Sequence, residues 1–189
     1  AQLTELMTQY GTLFTSWHDG ANGGDGYYGG RNEKRTIDRT TYYAWNEKTW
    51  PIVREKQPMA MIFSDVGPDM RWIGNEHGFA DETSWATFTP KGVDGKPPVP
   101  GQSDYSESPS GTRNGSHWIP AECDVPQRPG WFYHADQDNK VKTPDELFEI
   151  YLKSVGRGAN MNLGLAPMPN GYLHANDVKS LKAFGEKIK

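Results

Sequence analysis

Two carboxylates stand out because each follows a run of strand-forming residues and lies among glycines and tryptophans. Asp19 lies in Trp17-His18-Asp19-Gly20, and Glu76 lies in Arg71-Trp72-Ile73-Gly74-Asn75-Glu76-His77-Gly78. Two carboxyl groups on one rim can hydrolyse a glycosidic bond, since one attacks the anomeric carbon while the other protonates the departing oxygen. The alternatives are ordinary turn chemistry for Asp19 and a solvated loop residue for Glu76.

The tryptophans favour the same chemistry. All seven fall between Trp17 and Trp131. Sugar C–H faces stack on aromatic rings, so tryptophans near strand ends and in loops favour a carbohydrate site. The candidates of this kind are Trp17, Trp72, Trp118 and Trp131. Trp45 and Trp50 fall on a predicted helix, where a place in the core is the expectation.

Composition excludes several other classes. The 20 basic and 24 acidic residues give a formal net charge of −4, which argues against nucleic acid as a partner. The five histidines lack paired metal spacing, and the glycines between residues 20 and 30 match no phosphate or dinucleotide fingerprint, so no metal and no cofactor are predicted. No apolar run is long enough for a transmembrane helix, and no membrane partner is expected. Cys123 is alone, which excludes an internal disulfide and favours a buried, inert thiol.

The first half of the chain predicts elements that position Asp19 and Glu76. Leucine and methionine spacing predicts a helix over residues 1–9, and a strand over 12–17 ends just before Asp19. The glycines from 20 to 30 predict loop, and residues 37–56 predict a helix that Pro51 kinks or splits. Strands are predicted over 59–63 and 70–73, with Asp65 after the first and Glu76 after the second.

The second half continues the alternation. Residues 88–115 show no sustained period and predict a long loop, followed by a strand over 117–121 with Glu122 at its carboxyl end. Thr143-Pro144-Asp145-Glu146 predicts a capped helix start, and a strand over 161–165 and a helix over 176–188 follow.

Strands separated by helices predict parallel pairing and the α/β class. The polar side chains after the strands would then collect on one face, which is the catalytic face of a (β/α) barrel: Asp19, Asp65, Glu76, Glu122 and Asn162. The pattern yields about four strands, whereas a closed barrel of the TIM type has eight.

Five segments, in this order, give the chain a specific resemblance to the α-L-fucosidases of glycoside hydrolase family 29. They are Trp17-His18-Asp19-Gly20-Ala21-Asn22, Gly67-Pro68-Asp69-Met70-Arg71-Trp72-Ile73-Gly74-Asn75-Glu76, Trp118-Ile119-Pro120-Ala121-Glu122-Cys123-Asp124, Arg128-Pro129-Gly130-Trp131-Phe132-Tyr133-His134 and Ser154-Val155-Gly156-Arg157. The resemblance covers nearly the whole chain, from about Leu3 to Ile188.

The resemblance implies a (β/α) barrel that hydrolyses terminal α-L-fucose with retention of configuration through a covalent fucosyl-enzyme intermediate. It assigns the nucleophile to Asp19 and the general acid/base to Glu76. It also implies that Trp17 and Arg71 contact the fucose or shape its pocket, while Trp118 is a substrate-binding candidate because of its aromatic ring near a strand end. The role of Glu122 stays open, as either a substrate contact or support for a loop.

The family has barrel segments before the nucleophile strand and a β-sandwich after the barrel, and the sequence matches neither. Residues 1–189 therefore look like one partial catalytic domain, the carboxyl-terminal half of the barrel, from nucleophile strand to last helix. A half barrel exposes strand edges, so a complementary half or self-association is expected. The implied substrate is a fucosylated oligosaccharide, and the implied location is periplasmic, secreted or lysosomal. A tryptophan-rich fucose-binding module without catalysis and an inactive fragment are the alternatives.

Overall fold

Helices and short strands alternate along the chain in the computed structural model, which describes residues 1–19, 24–26, 35–37, 45–101 and 103–189. The helices are α1 (Gln2–Gln9), α2 (Trp45–Lys48), α3 (Trp50–Lys56), α4 (Pro144–Ser154) and α5 (Ala175–Lys187). The strands are β1 (Thr15–Trp17), β2 (Gly24–Gly26), β3 (Arg35–Ile37), β4 (Met61–Phe63), β5 (Arg71–Trp72), β6 (Thr87–Phe88), β7 (Lys91–Gly92), β8 (Ser103–Asp104), β9 (His117–Trp118), β10 (Ala121–Pro126) and β11 (Asn160–Gly164). They form two units, Ala1–Arg71 with Thr89–Tyr105, and Trp72–Phe88 with Ser106–Lys189.

The first unit is built on a parallel pair of strands, β1 and β4, in which Trp17 lies opposite Phe63. Helices α1 and α3 cover this pair and bury a small apolar cluster. The cluster consists of Met7, Val53, Ala60 and Ile62, with Leu3, Leu13, Trp50 and Ile52 packed against it. The predicted core position of Trp50 is thus confirmed, while the side chain of Trp45 lies outside the described residues.

Gln57, which follows α3, fixes the chain on both sides of the turn before β1. Its Nε2 donates to the carbonyls of Met7, at 2.7 Å, and Gly11, at 2.9 Å, and its Oε1 accepts from the Leu13 N–H at 3.1 Å. Gly11 has a φ of +80°, a conformation that glycine adopts without strain. One amide side chain therefore sets where β1 starts.

Two predictions for the first unit need correction. The backbone of Gly24–Gly26 pairs antiparallel with Arg35–Ile37, so these glycines form a strand rather than loop, and Ile37 belongs to a strand rather than to a helix. The helix predicted over 37–56 is found as α2 and α3, with residues 38–44 outside the described part. The break falls at Thr49, and Pro51 lies in the first turn of α3, where its missing N–H costs no hydrogen bond.

In the second unit, β10 lies between β11 and β5, and β10 runs parallel to β11. All six β10 residues are buried. Cys123 is fully buried in an apolar cluster with Ile73, Ala80, Ala121 and Ala159, as its predicted inert role requires. Contrary to prediction, Glu122 is the second residue of this strand and not its carboxyl end, because Pro120 separates β9 from β10.

The helices of the second unit follow their sequence signals. Thr143 and Glu146 form a reciprocal capping box, with the Thr143 N–H donating to Glu146 Oε2 at 2.7 Å. Helix α5 packs on α4 through an edge-to-face contact of Phe184 with Tyr151. Residues 88–115, predicted as loop, contain the short strands β7 and β8 and the end of β6.

A buried ion pair ties the segment after β10 to α5. Arg128 and Asp177 have fully buried side chains, and the guanidinium donates to both carboxylate oxygens at 2.8 and 2.6 Å. Asp138 accepts from the same guanidinium at 2.9 Å, and the Tyr133 ring lies 4.7 Å from its centre. These partners, chiefly Asp177, raise the pKa of Arg128 further above its ordinary value, so the pair stays charged.

Candidate active site

Asp19 follows the carboxyl end of β1, as predicted. The His18 N–H donates to the Phe63 carbonyl at 3.1 Å, which completes the pairing of Trp17 with Phe63 at the end of β1. On the same strands the Trp17 and Phe63 rings stack, with centroids 4.6 Å apart and planes 6° apart. The Asp19 side chain is exposed. The predicted nucleophile is therefore held by two paired strands and lies open to a ligand.

The neighbours of Asp19 on β1 carry little positive charge. His18 Nε2 lies 3.0 Å from Ser16 Oγ, and burial lowers the pKa of the imidazole. Trp17 is 43% exposed, so one face of its ring packs on Phe63 and part of the side chain stays accessible. A neutral imidazole and an aromatic face suit a site for an uncharged sugar.

Glu76 lies in a loop that its sequence neighbours shape closely. Asn75 Oδ1 accepts from the His77 N–H at 3.1 Å, and Asn75 Nδ2 donates to the Phe79 carbonyl at 2.9 Å. Gly78 has a φ of +78°, and a Cβ there would lie 2.9 Å from the Ile150 side chain on α4. Glu76 itself is exposed. The loop thus holds the carboxylate outward on a well-defined turn.

The other predicted substrate contacts differ in exposure. Arg71 is fully buried, while Trp118, in β9 opposite Thr87, is 72% exposed. An exposed tryptophan is free to stack on a sugar, whereas a buried guanidinium reaches a ligand only from the wall of a closed site. The fucose contacts proposed for both residues stay predictions.

Glu122 is 7% exposed and accepts a hydrogen bond from Asn162 Nδ2 at 3.1 Å. The neighbouring strands place Asn160 opposite Glu122 and Asn162 opposite Asp124, so polar residues occupy one face of β10 and β11. Asp19 and Trp17 belong to the first unit, and Glu76, Trp118 and Glu122 belong to the second. Glu122 therefore has a structural partner within its own unit.

The sequence marked Asp65 as a polar residue after a strand but gave no signal for its partners. Asp65 Oδ2 accepts hydrogen bonds from the Gly101 N–H at 2.6 Å and from the Tyr105 hydroxyl. Tyr105 is 40 residues further along, in the segment predicted as loop. No local pattern connects residues at that separation.

Within the described part of the chain, no three His, Cys, Asp or Glu residues lie together as metal ligands would. Nor does any described helix combine the length and the apolar character needed to cross a bilayer.

Comparison with known proteins decides the family. The sequence profile of a family described as Alpha-L-fucosidase matches residues 1–189. The chain belongs to the α-L-fucosidase family. The resemblance drawn from the five sequence segments is thereby confirmed.

Individual α-L-fucosidases agree with this assignment. Alpha-L-fucosidase 1 of Arabidopsis thaliana is 38% identical over 187 residues, which are 98% of this chain and 33% of that protein. A glycoside hydrolase 29 family member from an unknown rumen bacterium is 43% identical with a TM-score of 0.84, over 99% of this chain and 32% of that one. A Ruminococcus gnavus GH29 fucosidase in complex with fucose is 25% identical with a TM-score of 0.72, over 100% and 36%.

The chain thus spans about a third of the length of the α-L-fucosidases that it matches. It shares the glycoside hydrolase fold of its structural relatives over that third. The described residues form small sheets of two or three strands and no closed barrel.

Proposed function

We propose that the protein to which this chain belongs is a retaining α-L-fucosidase that releases terminal fucose from oligosaccharides. The observation that carries the proposal is the family match across all 189 residues, together with an exposed carboxylate directly after a paired strand. The fucose bound to the Ruminococcus gnavus relative supports the choice of sugar.

The mechanism divides the chemistry between two carboxyl groups. Asp19, as a carboxylate, attacks the anomeric carbon of fucose and forms a fucosyl-enzyme ester, while Glu76, as an acid, donates its proton to the departing oxygen. Glu76 then removes a proton from water, which attacks the same carbon and releases fucose and the Asp19 carboxylate. Two inversions leave the configuration unchanged.

The remaining residues bind and orient the sugar. Trp17, fixed by its stack on Phe63, offers an aromatic face to the sugar C–H groups beside Asp19. Arg71 donates to sugar oxygens from a buried position, and Trp118 supplies a second aromatic face. The substrate is a fucosylated oligosaccharide, and the protein acts in the periplasm, in the lysosome or after secretion.

The chain contributes about half of a (β/α)8 barrel in this proposal. The parallel pairs β1–β4 and β10–β11 support it, since parallel strands joined through helices are the unit of that fold. The rest of the polypeptide supplies the other strands and the remaining fucose contacts. Without that part, a second copy or another chain has to cover the exposed strand edges.

Replacement of the nucleophile tests the proposal. In the complete protein, Asp19→Gly should lower kcat on p-nitrophenyl α-L-fucoside by at least about 10³-fold, because no ester forms. Azide should restore part of the rate and yield a fucosyl azide of inverted configuration. Asp94→Gly is the matched control, since Asp94 is an exposed aspartate of the same unit with a φ of +53° that glycine adopts easily. Wild-type turnover in Asp19→Gly excludes Asp19 as the nucleophile.

A further inference from the structure

Asp65 lies in the turn after β4, two residues beyond the strand, and Asp19 lies two residues beyond the end of β1. The two strands run parallel, with Trp17 opposite Phe63, so both aspartates follow the same end of the strand pair. The negative charge of Asp19 raises the pKa of the Asp65 carboxyl, as expected of two carboxyl groups near each other. A second carboxyl group therefore lies near the predicted nucleophile.

The two oxygens of Asp65 have different environments. Oδ2 accepts from the Gly101 N–H at 2.6 Å and from the Tyr105 hydroxyl, so its lone pairs are used. Oδ1 is buried and has no hydrogen-bond partner among the described residues. A charged oxygen buried without a donor is costly, whereas a protonated oxygen carries no charge. The geometry thus favours a carboxylic acid with its proton on Oδ1.

The net effect of the surroundings is a raised pKa for the Asp65 carboxyl. Burial raises this pKa most and the negative charge of Asp19 also raises it, while hydrogen bonds from Tyr105, Gly101 and the Asp65 N–H lower it by less. No ion pair among the described residues includes Asp65. Burial lowers the pKa of His18, the residue that follows β1, which favours its neutral form.

We propose that Asp65 is a positioning residue that works as a neutral acid, keeping a second negative charge away from Asp19 while Oδ2 anchors Gly101 and Tyr105 at the end of β4. The proposal rests on the function proposed above and concerns the same site. It requires that Asp65 keep its proton at the pH at which the enzyme works. Ionisation of Asp65 at higher pH then places two like charges side by side and slows the reaction.

The protonation of Asp65 can be measured without any activity. In the complete protein labelled with ¹³C at aspartate carboxyl carbons, the Asp65 signal is assigned by its loss in Asp65→Asn. We expect the titration midpoint of this carbon to lie above the ordinary aspartate pKa of 3.8. Tyr105→Phe removes a donor to the anion and should move the titration to still higher pH. Titration at or below the ordinary value overturns the proposal, whether or not the protein hydrolyses fucosides.

Kinetics then test what the neutral acid does. Asn reproduces the protonated form, with one acceptor and one donor, whereas Ala offers neither. Asp65→Asn should lose less than about threefold in kcat and keep its activity to higher pH than wild type, while Asp65→Ala should lose about tenfold or more. Asp69→Asn is the matched control, because Asp69 lies in the same turn but is ion-paired with Arg54 at 2.7 Å.

The Asp69→Asn control should be less stable than the wild type, but its kcat/KM should fall at the same alkaline pH as that of the wild type. If Asp65→Ala does not fold, Asp65→Asn and Tyr105→Phe still give the answer. The proposal is overturned if Asp65→Asn and Asp65→Ala lose equal amounts of kcat. It is also overturned if kcat/KM of Asp65→Asn falls at the same alkaline pH as that of the wild type.

Discussion

Asp19 and Glu76 are both exposed carboxylates that follow strands, but different kinds of contact position them. Asp19 depends on pairing between β1 and β4, which are far apart in sequence. Glu76 depends on its own neighbours, since Asn75 and Gly78 shape the loop locally. The loop around Glu76 could be predicted from the motif Gly-Asn-Glu-His-Gly. The partner strand of β1 could only be inferred from the fold class.

The loop position of Glu76 leads to a prediction about leaving groups. If Glu76 is the proton donor, Glu76→Ala should lower kcat/KM by about 10²–10⁴-fold for fucosyl disaccharides, whose alkoxide leaving groups need a proton. Aryl fucosides should lose far less, because phenolates leave without one. Competing assays on both substrate types measure the difference. The control is Glu82→Ala, because Glu82 is an exposed glutamate of the same unit. Equal losses of kcat/KM on both substrate types in Glu76→Ala would show that Glu76 only positions the sugar.

Among the secondary-structure elements, the sequence predicted those whose ends are set by neighbouring residues. It did not predict strands that form only through pairing with another segment. The capping box of Thr143 and Glu146 determines the start of α4, and Pro51 determines the start of α3. Gly24–Gly26 has low intrinsic strand propensity, and only its pairing with Arg35–Ile37 makes it a strand. The sequence did not predict the full length of β10, because Glu122 and Asp124 are acidic although the whole strand is buried between two neighbouring strands.

Two glycines in different elements should respond oppositely to alanine. A Cβ on Gly115 would lie 2.5 Å from the Phe88 backbone nitrogen, where the turn before β9 crosses β6. Gly115→Ala should therefore lower the free energy of unfolding by about 1–3 kcal/mol. A Cβ on Gly185 in α5 meets nothing within 4 Å, so Gly185→Ala should raise stability by about 0.5–1 kcal/mol. Chemical denaturation of both variants measures the sign, and stabilisation by Gly115→Ala would contradict the close approach.

The chain spans about a third of the length of the α-L-fucosidases that it matches. Several large apolar side chains are exposed in its separate units, among them Phe14 at 81% and Phe132 at 78%. Exposed apolar surface of this kind favours association. The family and the parallel pairing of strands could be predicted from the sequence, whereas the short antiparallel pairs β2–β3, β6–β9 and β7–β8 could not, because strands of two or three residues leave no period in the sequence.

Whether the 189-residue chain is active on its own can be tested. We expect the 189-residue chain alone to show little or no hydrolysis of p-nitrophenyl α-L-fucoside and to self-associate in size-exclusion chromatography. Adding the rest of the polypeptide as a separate chain should restore activity, because it supplies the missing strands and sugar contacts. The same mixture made with Asp19→Gly is the control. A monodisperse monomer with ordinary turnover would refute the half-barrel proposal.

The ion pair between Arg128 and Asp177 also sets an order of events during synthesis. Its two members are 49 residues apart, so a ribosome adding about 5–20 residues per second makes Arg128 roughly 2 to 10 s before its counter-charge. Throughout that interval, burying the guanidinium would leave a charge without its main partner. We therefore expect the Arg128 guanidinium to become buried only after Asp177 has been synthesised.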